Sequence, residues 1–153
     1  MLENLIKKNI DVKIIWTGYD ENLIKTTSYS NNVIRLPVLS RNKMPPIYKI
    51  CDLLLFPSLY EGMGAPPLEA MRCGIPVVCG NTSSVPEIVK DAALTCNPYD
   101  DKEMTKNILK LFENKEFYKK KVDEGLVRAK LFDYEKMHRQ IINLYEEVLA
   151  KKA

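Results

Sequence analysis

Two runs of strand length, "DLLLFPS" (52–58) and "IPVVCG" (75–80), are apolar almost from end to end, and a segment with helical spacing separates them. A strand with one wet face alternates apolar and polar residues, so a strand apolar throughout has both faces covered. Parallel sheets meet that need, because a parallel neighbour is reached only by a long connection, usually a helix laid over the sheet. The same alternation runs along the chain. "VKIIWTG" (12–18) reads as a strand ending in glycine, "NVIRLPV" (32–38) as a second, and "AALTC" (92–96) as a fifth. "MLENLIKKN" reads as a short helix with Leu2, Leu5 and Ile6 on one side. "RNKMPPIYKICD" is helical in its second half, with Pro45 and Pro46 confined to the first turn. From Asp100 the pattern turns helical, with Met104, Ile108 and Leu111 at helical spacing and Asp100 or Asp101 as a cap, followed by two further helical stretches. The right-handed crossover rule then predicts a doubly wound α/β sandwich, whose ligands bind beyond the carboxyl ends of the strands.

With 153 residues the chain makes one domain with a real core. No apolar run approaches the ~20 residues that span a bilayer, and the N-terminus lacks the apolar centre of a signal peptide. A cytoplasmic setting is expected. Cys51, Cys73, Cys79 and Cys96 form no C-x-x-C pair and have no histidine nearby, so buried free thiols are expected rather than zinc or a nucleophile. A net charge of +3, from 23 basic and 20 acidic residues, is too balanced to indicate a nucleic-acid partner, and "YKKKV" (118–122) reads as the solvated side of a helix.

The segment "PSLYEGMGAPPLEAMRCGIPVV" (57–78) asks for more than a loop does. Pro66 and Pro67 suit a first helical turn, and Gly74 suits the end of that helix. Gly62 and Gly64 let main chain come close to a ligand. The amides around Gly62, Met63, Gly64 and Ala65, with the positive end of the helix dipole, suit a phosphate; since prolines donate nothing, donors come from this loop or from Leu68. A phosphate site alone has no use for Glu61 and Glu69, but carboxylates accept hydroxyl hydrogen bonds from polyhydroxylated partners. Amides for phosphate plus carboxylates for hydroxyls describe a nucleotide sugar. Each residue also has a plainer reading: Glu69 complements the helix dipole, Glu61 is an exposed turn residue, and Gly64 is a turn.

The segment "FPSLYEGMGAPPLEAMRCGIPVVCGNTSSVPEIVKDAALTCNPYD" resembles the C-terminal half of family 4 (group 1) glycosyltransferases, retaining enzymes whose E-x7-E signature is matched by Glu61 and Glu69. The resemblance implies the C-terminal half of a GT-B fold: a single Rossmann-like three-layer sandwich with a parallel sheet, incomplete at its N-terminus, with C-terminal helices. It implies a nucleoside-diphosphate sugar as donor, with Glu61 near the reaction centre and Glu69 on the ribose hydroxyls. Gly62, Met63 and Gly64 would face the diphosphate and sugar, main chain near Val38 the base, and Gly18 the same cleft. No metal or other cofactor is implied. Two departures stand out. Residues 1–153 match only the donor-binding domain, without the acceptor domain, and the first strand with its Arg and Lys pair has no counterpart, since Lys7 and Lys8 lie on the helix that should follow it. One lost charge-stabilising group takes ~3 kcal/mol from the transition state, and lost positioning of the second reactant ~7–11 kcal/mol. Little or no transfer by the chain alone is therefore expected. The alternative is a nucleotide-sugar-binding module, or a donor subunit acting with a separate acceptor-domain chain; a homodimer would also cover the exposed face. The place implied is cytoplasmic, including a peripheral position at the inner membrane face.

His138 is expected on the surface or in helix packing rather than as a base, and Trp16 in core or cleft-edge packing. Ser83 and Ser84 are expected to cap the short helix after them. Tyr60 either lines the donor cleft or packs.

Overall fold

Val77–Gly80 (β4) is buried at every residue, and it holds the domain together. It pairs in parallel with Leu54–Phe56 (β3) on one side and Leu94–Cys96 (β5) on the other. Its side chains alternate between faces, and each face has its own core. Val77 and Cys79 join Leu68 and Met71 of Ala65–Arg72 (α3) and Val85 and Val89 of Val85–Val89 (α4). Tyr48 of Met44–Lys49 (α2) and Ala129 of Lys115–Lys130 (α6) belong to the same cluster. Val78 points the other way, to Leu5 of Leu2–Lys7 (α1) and to Met104, Ile108 and Leu111 of Asp101–Glu113 (α5). These are the three layers expected. The computed structural model describes residues 2–8, 10–18 and 30–151; the Leu2 and Ser30 side chains lie outside what is described.

The sheet differs from the single one expected. Ile14–Thr17 (β1) and Val33–Leu36 (β2) pair in parallel as a two-stranded sheet, separate from β3–β4–β5. No strand among the described residues lies between β1 and β3, so each is paired along one edge only. The composition of β3 suits a strand covered on both sides, yet all its residues are only half-buried. The two pieces still share a core, since Ile10 and Val12 pack on the same cluster as Leu53 and Leu55. Asn4 Nδ2 also donates to Asp101 Oδ2 at 3.1 Å, tying α1 to the start of α5.

Other local readings resolve individually. Pro45 and Pro46 do occupy the first turn of α2. The cap of α5 is Asp100, whose Oδ1 accepts from the amides of Lys102 and Glu103 at 3.0 and 2.9 Å. All four cysteines are free, but only Cys79 and Cys96 are buried, and burial pushes the Cys79 thiol up to about 12. Of the lysine run, Lys121 is not solvated as expected. Its Nζ donates to the Asp91 carbonyl and to Glu124 Oε2, because α6 packs closely enough for the long side chain to reach back. His138 is exposed on Tyr134–Ala150 (α7), beside Tyr134. That helix has no buried residue; Ile141, Leu144, Tyr145 and Val148 stand in solvent. Among the described residues, no helix is long and apolar enough to cross a membrane.

Helix α6 lies tightly on α3, where a Cβ on Gly125 would come within 3.0 Å of Met71 Cγ. One arginine ties α6 to α4 and another ties α3 to the end of α6. Arg128 donates to the carbonyls of Ile88 and Glu87 at 2.7 and 2.8 Å, and Arg72 donates to those of Ala129 and Phe132. Met71 is fully buried, in the core shared with Leu68 and Val77. Gly125→Leu should therefore lower stability by about 2–3 kcal/mol in denaturant titration, from overpacking; an unchanged midpoint would show that the α3–α6 contact is loose.

Candidate functional site

The loop that leaves β3 is held by its backbone. The Ser58 carbonyl lies 2.7 Å from where a Cβ on Gly80 would stand, so only glycine at the end of β4 permits the approach. Thr82 Oγ1 donates to the same carbonyl at 2.9 Å. The turn after β4 then takes hold of Glu61. Ser83 Oγ accepts from the Glu61 amide at 3.2 Å and donates to the Glu61 carbonyl at 2.7 Å, and Ser84 Oγ donates to that carbonyl at 3.0 Å. Ser83 adopts φ +58°, a left-handed conformation uncommon for a residue other than glycine.

This corrects the expectation for the serines. Ser84 occupies the N-cap position of α4, but no side-chain bond caps the helix there. Both hydroxyls are engaged with Glu61 instead. A sequence shows that a hydroxyl can cap the next helix; it does not show that a loop more than twenty residues earlier competes for it.

With its main chain strapped, the Glu61 side chain has a defined start. Ser58 Oγ donates to Glu61 Oε1 at 2.7 Å, which leaves the other oxygen open as an acceptor. Tyr60 is 86% exposed, so it does not pack, and the strap simply turns it outward.

Gly64 begins α3 in the left-handed region, φ +71° and ψ +52°, and a Cβ there would also press on Val85 Cγ2 at 3.3 Å. Pro66 and Pro67 fill the first turn, as the sequence suggested. With Gly64 as N-cap, the Leu68 amide belongs to the first intrahelical bond, and Leu68 itself is buried. The amides from Gly62 to Ala65, at the N-terminus of α3, are the donors that precede that first bond. Glu69 follows one turn on and is half-buried. Tyr48 Oη donates to Glu69 Oε2 at 3.0 Å from inside the core. Burial and the adjacent Glu69 carboxylate hold the Tyr48 phenol well above its usual range, so it stays a protonated donor. Nothing in the sequence flagged Tyr48, Ser58, Thr82 or Gly80; each acts across a tertiary contact.

A cleft of about 300 Å³ opens beside this turn, against the junction of α6 and α7. Met63, Ala65, Leu68, Glu69 and Arg72 line it from the α3 side, with Lys136 and Met137 from α7; Glu61, Gly18 and Val38 do not line it. Gly18 and Val38 come together elsewhere, at the carboxyl ends of β1 and β2. The Gly18 amide donates to the Pro37 carbonyl at 3.4 Å, Gly18 has φ +78°, and the Val38 side chain is 82% exposed. Trp16, one strand residue short of that end, is 43% exposed rather than in the core. Among the described residues, no group of three His, Cys, Asp or Glu side chains is clustered as metal ligands would be.

Chemically, the loop and the first turns of α3 present two carboxylates, each with one oxygen bonded to a protein hydroxyl and the other an open acceptor. Between them lie main-chain amides at a helix N-terminus. Such a set accepts from hydroxyls and donates to anions.

The family model described as glycosyl transferases group 1 matches residues 2–126. O-antigen chain mannosyltransferase B of Escherichia coli is 40% identical over 103 residues, 67% of this chain and 27% of that protein. MMP alpha-(1->4)-mannosyltransferase of Mycolicibacterium hassiacum is 27% identical over 156 residues, 99% of this chain and 38% of that one. Among solved structures, sucrose-phosphate synthase from Thermosynechococcus elongatus superposes with a TM-score of 0.73 at 21% identity, covering 98% of this chain and 34% of its own. Anabaena HepE, solved with UDP-glucose, gives 0.70 at 23% identity over 77% of this chain and 33% of its own. At such identities the superpositions speak for the fold, a Rossmann-like half of the GT-B architecture. The chain spans about a quarter to two-fifths of the length of the relatives it matches. It belongs to the group 1 glycosyl transferase family.

Proposed function

We propose that the chain is the donor-binding part of a retaining glycosyltransferase, which moves a sugar from a nucleoside diphosphate to a saccharide or lipid-linked acceptor. The observation that carries this is the pair Glu61 and Glu69 on either side of the Gly62–Ala65 amides, each carboxylate with one oxygen held by a hydroxyl. In this reading Glu69 accepts from the ribose hydroxyls. The amides of Gly62, Met63, Gly64 and Ala65 donate to the diphosphate, helped by the dipole of α3. Glu61 lies against the sugar, where a carboxylate stabilises the positive charge that develops at the anomeric carbon as the diphosphate leaves. Main chain at Gly18 and Val38 borders the base. No metal is assigned to the site.

The donor sugar we favour is mannose, since relatives at 40% and 27% identity carry mannosyltransferase in their names. Four free thiols suit a reducing compartment, and the reading places the chain on the cytoplasmic side. A solved neighbour holds UDP-glucose, which supports a nucleotide sugar as the class of ligand. Titration calorimetry with UDP, GDP and ADP tests the reading: one diphosphate should bind, and Glu69→Ala should weaken it about tenfold or more, as loss of hydrogen bonds to a charged acceptor does. Binding that ignores Glu69→Ala would reject the assignment.

The open face of α7 favours a second reading beside the first, a donor subunit that docks on a separate acceptor-domain chain. A helix with Ile141, Leu144, Tyr145 and Val148 all in solvent gains little from packing, and isolated helices of this length are marginal. Hydrogen exchange on the chain alone should find α7 amides opening about a hundredfold faster than those of α5. Equal protection would mean that α7 is already covered, and the docking reading would fall.

A further inference from the structure

We propose that Tyr48 is a positioning residue of the donor site: its hydroxyl, 3.0 Å from Glu69 Oε2, aims the carboxylate so that the remaining oxygen meets the ribose hydroxyls. The inference rests on the assignment of Glu69 to the ribose. Tyr48 is 5% exposed and is locked in the core with Leu68 and Met71, so its hydroxyl has a fixed position before any ligand arrives. Glu69 is the opposite case, a long side chain, half-buried at the cleft, that turns freely unless something holds it. A bond from the fixed group to the flexible one removes rotamers the carboxylate would otherwise lose on binding. It also divides the carboxylate, with Oε2 occupied and Oε1 left for the ligand. The plainer account is that Glu69 only satisfies a buried phenol. The two accounts differ in what the ligand feels.

Tyr48→Phe keeps the ring in its place and removes the one bond. UDP, GDP and ADP, each beside its 2′,3′-dideoxy counterpart, are titrated into the wild type, Tyr48→Phe, Glu69→Ala and the double variant, with folding checked by circular dichroism. The expected result is that Tyr48→Phe weakens the ribonucleotide about tenfold, leaves the dideoxy form unchanged, and adds nothing in the Glu69→Ala background. Equal ribonucleotide affinity in Tyr48→Phe and wild type overturns the inference and leaves the donor site standing. Equal loss for ribo and dideoxy forms overturns it too, because the hydroxyl would then serve only the fold. A folded wild type that binds none of the diphosphates overturns the donor-site assignment itself, and this inference with it.

Discussion

The site depends on one close approach, the Ser58 carbonyl resting where a side chain on Gly80 would begin. β4 is the buried centre of its sheet, so its last residue is among the most rigid points available. A loop pressed on that point inherits the rigidity. Thr82 donates to the same carbonyl, and Ser83 and Ser84 hold the next stretch by the amide and carbonyl of Glu61. The strained φ of Ser83 belongs in the same picture, because the tertiary bonds hold a conformation that local preference disfavours. The chain reaches Gly64 with its direction set, and α3 starts from there.

From that frame the chemistry follows with few parts. Two half-buried carboxylates sit on either side of a short run of amides, and a hydroxyl from the protein holds each of them. Ser58 belongs to the loop itself, whereas Tyr48 reaches in from α2. One anchor is therefore local to the loop, and the other ties α3 to α2 across their shared core. The split sheet limits how far this frame extends. Gly18 and Val38 lie on the β1–β2 pair, which joins the rest through the α1–α5 face rather than through backbone pairing with β3.

Much of this architecture was legible in residue order. The fully apolar runs at 52–58 and 75–80 fall on β3 and β4, and the prolines at 45–46 and 66–67 open α2 and α3. Those signals are local: a strand covered on both faces is apolar throughout, and proline fits a first turn. The loop from Glu61 to Glu69 stood out for its composition, because glycines, prolines and carboxylates together suit few plain turns. What holds the loop was not legible. Ser83 and Ser84 had a sound local role as caps, and that role lost to a tertiary one. Tyr48 carried no local signal, because its hydroxyl finds its partner twenty-one residues away. The break between β1 and β3 was likewise hidden, since strand order is a property of the whole chain.

A crystal structure of the chain with its preferred nucleoside diphosphate tests most directly whether residues 57–69 form the proposed nucleotide-sugar site. The ribose hydroxyls should lie within hydrogen-bonding distance of the Glu69 carboxylate, and the phosphate oxygens on the amides between Gly62 and Ala65. A nucleotide seated away from Glu69, or one whose phosphates leave those amides untouched, would contradict it.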